Sequence, residues 1–290
     1  MLARQFLKPH KTCFWGIIKA KDVSVIISTY NQPKWLQKVL WSYEQQIFKD
    51  FEVVIADDGS GEETKGLIDK MKLNVSYPIQ HIWHEDNGFQ KTIILNKATI
   101  AAKADYLLYT DGDCVARKDF LQAHVDNREQ GYFLSGGYFK LPMNISEMIT
   151  KSDIKNQNCF DINWLVKNGL KKTFKTNKLT AKGLKQVLLN KFTPTKATFD
   201  GMNVSGCKKD IIKVNGFDER MQYGGEDREL GERLMNCGIK FKQIRYSAIC
   251  LHLDHERGYV KSEMIEKNKK IRSITKKNNI KYTSFGIIKN

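Results

Sequence analysis

The chain has 290 residues, 41% hydrophobic and 11% aromatic, which suits one large α/β core without a disulfide or metal staple and excludes a disordered or collagen-like chain. Forty-eight Lys and Arg against 32 Asp and Glu give +16 at pH 7, which points to a polyanionic partner: nucleic acid, an anionic membrane or a phosphorylated ligand. The excess is local, because residues 1–150 carry 18 basic and 18 acidic side chains, whereas residues 151–200 carry 11 against 3 and residues 256–290 carry 10 against 3.

The first organised segment is Val23–Ser28, a continuous β-rich apolar run of the kind found in strands buried on both faces. Asn31-Gln32-Pro33 breaks it, and Trp35, Leu36, Val39, Leu40 and Tyr43 follow at helical spacing. Phe51–Ala56 reads as a second strand, Glu62–Met71 as a helix and Tyr77–Trp83 as a third strand. Ile93, Ile94, Lys97, Ala98 and Ala101 mark another helix, and Asp105–Thr110 a fourth strand. This alternation predicts a parallel sheet with right-handed crossovers. Ligands then bind at the carboxyl ends of the strands. The polar clusters Thr29-Tyr30-Asn31, Asp57-Asp58, Asp86-Asn87-Gly88 and Asp111-Gly112-Asp113 all fall there.

Residues 141–200 are Lys- and Asn-rich, with helices expected near Asn163–Gly169 and Leu179–Leu189, and read as an inserted lobe. Order returns with Asn203–Gly206, a helix at Lys208–Val214, a helix after Gly224-Gly225-Glu226-Asp227, and strands at Phe241–Ile244 and Ala248–Leu251. Lys261–Lys277 reads as a basic helix. The expected organisation is an extension over 1–21, one domain over 22–258 that contains the lobe, and a basic C-terminal helix and tail over 259–290. The six cysteines form no CxxC, and no apolar run approaches the ~18 residues of a membrane span. Cys13–Ile18 is too short for a secretory signal. The expectation is a cytoplasmic protein with reduced thiols, peripheral at the inner face of the membrane.

Two carboxylates flanking a glycine at a strand end, Asp111-Gly112-Asp113, can grip a divalent metal bridged to phosphate oxygens. His252 and His255 lie three apart after the last expected strand and suit a Mn²⁺-like ion better than Mg²⁺, with His255 the first choice as ligand. Asp227, at a helix start, is the candidate general base for an attacking hydroxyl, with Glu226 holding the acceptor. Asp58 can accept from a nucleobase N–H while Tyr30 stacks on the base.

These segments, VSVIISTYN, FEVVIADDGS, EDNGFQKTIILNKA, YLLYTDGDC and GGED, resemble the family 2 glycosyltransferases of the GT-A fold. NVSGCKKDIIKVNGFDERMQYGGEDRELGERL and HLDH are similar to the C-terminal region of the β-1,4-galactosyltransferase and chondroitin-polymerase type, so the likeness covers about residues 22–140 and 200–258. It implies a single Rossmann-like nucleotide-sugar domain with a mostly parallel central sheet. It also implies inverting transfer from a UDP-sugar with Mn²⁺ (or Mg²⁺). By position it places Tyr30 and Asp58 on the uracil with Ser28 and Thr29 nearby, and Asp111 at the ribose or sugar. Asn31, Asn87, Gly88, Lys91, Gly112 and Gly225 complete the donor site, Asp113 ligates metal, and Asp227 and Glu226 serve as base and acceptor contact. The family's metal motif is Met then His three apart; here both are His, at His252 and His255. Its GFR turn reads Gly88-Phe89-Gln90, so Lys91 is left to replace the arginine at phosphate.

Two other classes compete. A sugar-phosphate nucleotidyltransferase needs a glycine-rich loop after the first strand, where this chain has STYNQPKW. A non-catalytic nucleic-acid binder lacks any recognisable module here, and the neutral first half breaks its electrostatic footprint, so nucleic acid is not expected as a partner. The basic lobe and C-terminal helix point instead to the acceptor side: a glycan, a lipid-linked glycan or an anionic membrane surface.

Overall fold

The computed structural model describes residues 21–256 and 260–289. Residues 1–20, including Cys13–Ile18, lie outside that range, as does the expected domain end at residue 258.

The first half alternates as the apolar pattern predicts. Strands β1 (Val23–Thr29), β2 (Phe51–Asp57), β3 (Ile79–Trp83) and β4 (Tyr106–Asp111) are separated by helices α1 (Pro33–Glu44), α2 (Glu62–Lys72) and α3 (Lys91–Ala101). All four strands are parallel, in the order β3-β2-β1-β4. Every residue of β1 and β2 is buried. Their alternate side chains feed two cores: Val23, Val25 and Ile27 of β1 pack on one face, and Ile26 packs on the other. Burial of each such side chain contributes about 2 kcal/mol. Pro33 stands at the start of α1, where its missing N–H costs nothing.

The second half adds pieces too short to show in a pattern. Strands β5 (Cys114–Ala116), β6 (Tyr132–Ser135) and β7 (Gly137–Lys140), with helix α4 (Phe120–Asn127), have no counterpart in the sequence reading. The lobe holds α5 (Met143–Met148), α6 (Lys151–Lys155), α7 (Ile162–Lys167), α8 (Asn177–Thr180) and α9 (Gly183–Phe192). The helix expected over Leu179–Leu189 is therefore two, broken where Gly183 takes φ 54°. Strand β8 (Asn203–Cys207) then enters the sheet antiparallel to β4, which is where the parallel pattern ends. Helices α10 (Lys208–Lys213) and α11 (Glu226–Asn236) and strands β9 (Lys240–Gln243) and β10 (Ile249–His252) follow. The main sheet runs β3-β2-β1-β4-β8-β6-β9, and β5-β10-β7 form a second, three-stranded sheet. The C-terminal helix α12 (Ser262–Lys277) lies against α11. Residues beyond it are tied in: Asn215 bonds Thr283 and Ile288, and Thr283 Oγ1 donates to Asp218.

Candidate active site

The carboxyl ends of β1, β2 and β4 open onto a cavity of about 850 Å³. Ser28, Thr29, Tyr30, Asn31, Asp58, Gly88, Lys91, Asp111, Gly112 and Asp113 line it from the sheet side, with Gly225, Glu226, Asp227, His252 and His255 from the second half. Asn87 is the one expected donor residue outside this wall; it is exposed on the turn that Gly88 N–H closes by donating to Asp86.

At the ends of the parallel strands the turns are locked together. Asp58 Oδ1 pairs with His84 Nε2 at 2.8 Å and Oδ2 accepts from the Gln90 N–H at 3.0 Å. Burial raises the Asp58 carboxyl, and these two bonds only partly offset it. Behind it Asp57 pairs with His81 at 2.8 Å and accepts from Ser60 N–H. Gly59, at φ 91°, comes so close to the Asp86 backbone that a Cβ would sit 2.6 Å from it, so no other residue fits there. Tyr30 is 43% exposed and its hydroxyl donates to Asp86 at 2.8 Å, which leaves a ring face open to the cavity mouth. Trp35, on the apolar face of α1, is buried and also lines the cavity.

At the centre Asp111 accepts from Ser28 Oγ at 2.6 Å and from Lys91 Nζ at 2.7 Å. Burial alone lowers the lysine, but Asp111, Glu226 and Asp227 override it, so Lys91 stays cationic. Gly112 N–H donates to Ser28 O, and a Cβ there would be 3.1 Å from both Ser28 O and Thr29 Oγ1. Thr29 also lines the cavity, but its Oγ1 is buried against Gly112 and makes no hydrogen bond among the described residues.

Asp113 Oδ2 lies 2.9 Å from His255 Nε2 and 3.6 Å from His252 Nε2. Strand β10 places His252 opposite Cys114, and the Leu253 N–H donates to the Asp113 carbonyl, so the HLDH segment is stitched to the DxD turn. The three side chains offer one carboxylate and two imidazole ligand atoms within 4.8 Å of one another. That donor set fits a divalent ion of the Mn²⁺ kind, with remaining positions open to phosphate oxygens. Burial raises the Asp113 carboxyl, but the His255 bond and both histidines outweigh it and hold it below the usual range. Asp111, already bonded to Lys91 and Ser28, is a poorer ligand.

Across the cavity Gly224 and Gly225 take φ 110° and 91° and open α11. Glu226 Oε2 accepts from the Gly224 N–H at 2.9 Å. Burial and the neighbouring Asp227 push its carboxyl up to about 7. Asp227 accepts from the Gly201 N–H at 2.9 Å, which fixes its carboxylate toward the cavity.

Sequence reasoning missed two parts of this wall. Asp200, just before β8, is pushed up to about 6 by burial and by the charges of Asp227 and Asp111. Its signal was a lone acid at the edge of a Lys-rich stretch, 27 residues before Asp227. The other part is α12: Ile265, Lys269 and Arg272 line the cavity. Asn268 is fully buried and donates to Gln222 O and Gly224 O, and Arg272 pairs with Glu232, so the helix is riveted to the glycine turn.

A family model described as glycosyl transferase family 2 matches residues 24–185, and one described as N-terminal domain of galactosyltransferase matches residues 189–256. The chain is 28% identical over 247 residues to the chondroitin synthase of Escherichia coli, covering 77% of this chain and 33% of that protein. Among solved structures it is similar to the mannosyltransferase PcManGT of Pyrobaculum calidifontis, in complex with GDP-Man and Mn²⁺ (18% identity, TM-score 0.55, 83% of this chain and 59% of that one). It is also similar to residues 1–349 of S. aureus TarS in complex with UDP-GlcNAc (17% identity, TM-score 0.58, 87% and 66%). The chain thus spans about a third of that synthase, and its likeness to the solved structures is one of fold.

Proposed function

The chain belongs to glycosyl transferase family 2 and has the GT-A fold, and from that premise we propose that it is a metal-dependent inverting glycosyltransferase. It moves a hexose from a UDP-sugar to a hydroxyl of a glycan or lipid-linked glycan, in the synthesis of a bacterial surface polysaccharide or lipopolysaccharide at the inner face of the cytoplasmic membrane. The observation that carries the reading is the convergence, in one cavity, of Asp113 and both histidines with Asp227 and Glu226. The UDP-GlcNAc bound to TarS supports a UDP-sugar donor. The match to a galactosyltransferase domain favours galactose over GalNAc, glucose and GlcNAc.

In this reading Tyr30 stacks on the uracil. Asp58, with lone pairs left beyond His84 and Gln90, accepts from a base N–H. Asp111 faces the ribose or sugar, with Thr29 beside it in the cavity wall. Asp113, His255 and His252 would hold a divalent ion, which when bound would supply positive charge to the leaving diphosphate. Lys91, held cationic, adds a fixed charge beside it. Glu226 holds the acceptor hydroxyl and Asp227 takes its proton. The oxygen attacks the anomeric carbon from the face opposite the UDP, the carbon–phosphate-oxygen bond breaks, and the configuration inverts.

The test is a hydrolysis screen over UDP- and GDP-sugars with and without Mn²⁺. The expected result is Mn²⁺-dependent UDP release from one UDP-hexose. Pyrophosphate release from UTP and a sugar phosphate would replace the reading with nucleotidyl transfer. Salt-dependent RNA binding with no UDP affinity would replace it with the nucleic-acid reading.

A further inference from the structure

Helix α9 wears its amphipathic faces inside out. Gln186 and Asn190 donate to Ser247 Oγ at 2.7 and 2.8 Å, Asn190 Oδ1 accepts from the Tyr246 N–H at 2.8 Å, and Thr193 Oγ1 lies 3.3 Å from the Tyr246 hydroxyl. The polar stripe thus faces the protein. The opposite stripe holds Leu184, Val187, Leu188 and Phe192, exposed to 75%, 59%, 45% and 68%. A helix of a globular protein ordinarily buries its apolar stripe; no residue of α9 is buried. Phe174, in the same basic stretch, is 73% exposed as well.

The surroundings select the partner. Lys171, Lys172, Lys175, Lys182, Lys185 and Lys191 are all exposed. The three acids of residues 151–200 are engaged elsewhere: Asp153 in the capping box of α6, Asp161 capping α7, and Asp200 in the cavity. A second copy of so basic a face would be repelled. Among the described residues no helix is long and apolar enough to cross a membrane, so the patch suits lying on a surface.

We propose that the outer face of α9 docks the protein on an anionic lipid bilayer. Leu184, Leu188 and Phe192 enter the boundary between headgroups and acyl chains, and the lysines meet the lipid phosphates. This rests on the reading that the acceptor is presented at a membrane. The segment after Phe192 runs directly to Asp200 in the cavity wall, so docking sets the acceptor side of the cavity by the lipid.

The test is flotation of the full chain with vesicles of phosphatidylcholine alone or mixed with phosphatidylglycerol, without any sugar turnover. Binding to the mixed vesicles only is expected. The triple change Leu184→Ser, Leu188→Ser, Phe192→Ser should weaken it at least about tenfold, with melting temperature and UDP affinity unchanged. Neutralising Lys171, Lys172 and Lys175 to Gln should weaken it less and remove part of its salt dependence. Binding of the triple variant equal to the parent overturns the proposal. So does a parent that ignores both vesicles, or a triple change that dissolves a dimer without altering flotation. A chain that floats but transfers no sugar keeps the docking and removes the transfer reading. A chain that glycosylates a soluble acceptor and does not float does the reverse.

Discussion

The two sides of the cavity follow opposite electrostatic plans. Along the strand edge each carboxylate has its own base: Asp57 with His81, Asp58 with His84, Asp111 with Lys91 and Asp113 with His255, all within 2.9 Å. Across from it Asp200, Glu226 and Asp227 crowd one another, and Lys91 is a cation shared among them from the far wall. Each pairing fixes the direction of a carboxylate at the strand edge. Crowded carboxyls, pushed up to about 6 and about 7, change protonation near neutrality. The first plan suits gripping a donor of constant charge, and the second suits moving a proton.

The sharpest way to break this division is Asp227→Asn. Transfer should fall by about 10³-fold while UDP affinity, set by the other wall, stays within about twofold; kcat and UDP titration calorimetry decide it, and full activity sinks the assignment of the base. Asp113→Asn should do the opposite. Mn²⁺-dependent UDP affinity should drop about 10²-fold, with metal-free UDP binding unchanged, again read by calorimetry with and without chelator.

A smaller effect lies in pH. Both raised carboxyls lose their charge on acidification, so the rate should decline about tenfold from about pH 8 to about pH 5.5, through a region near 6 to 7. Glu226→Gln should remove the upper part of that limb; an unchanged profile would detach Glu226 from the reaction. The smallest effect is on stability. The Asp200 carboxyl is raised from 3.8 to about 6 on folding. Its stabilising contribution is therefore complete below the unfolded value and is lost as pH rises through about 6. Asp200→Asn should then stabilise the fold at about pH 8, by about 1 kcal/mol after allowance for solvent screening, and make no difference at about pH 4. Thermal melts at the two pH values read the sign directly.

The same division separates what could be read in the sequence from what could not. Strands β1 to β4 are contiguous apolar runs ending in polar clusters, so the strand-end wall of the cavity was legible down to Asp58, Asp111 and Asp113. Asp227 and His255 were legible because GGED and HLDH are local motifs. Strands β5, β6 and β7 have three or four residues each, too few for a period to show. Asp200 acquires its character from burial and from the charges of Asp227 and Asp111, relations no spacing encodes. The basic charge of α12 masked its role, since Ile265, the buried Asn268 and the stem of Arg272 tie its inner face to the glycine turn.

That last helix has a consequence for how such a protein can be changed. Gly225 lies so close to Arg272 that a Cβ would be 3.2 Å from its side chain, and Gly224 meets Ile265 at the same distance. The turn that carries Glu226 and Asp227 is thus moulded against the last helix, and the strand ends across the cavity are moulded against one another. Substitutions at Ile265 and Lys269 would therefore reshape one wall of the chamber while leaving the other intact. Libraries at those two positions, selected for new acceptors, start with the donor chemistry already in place.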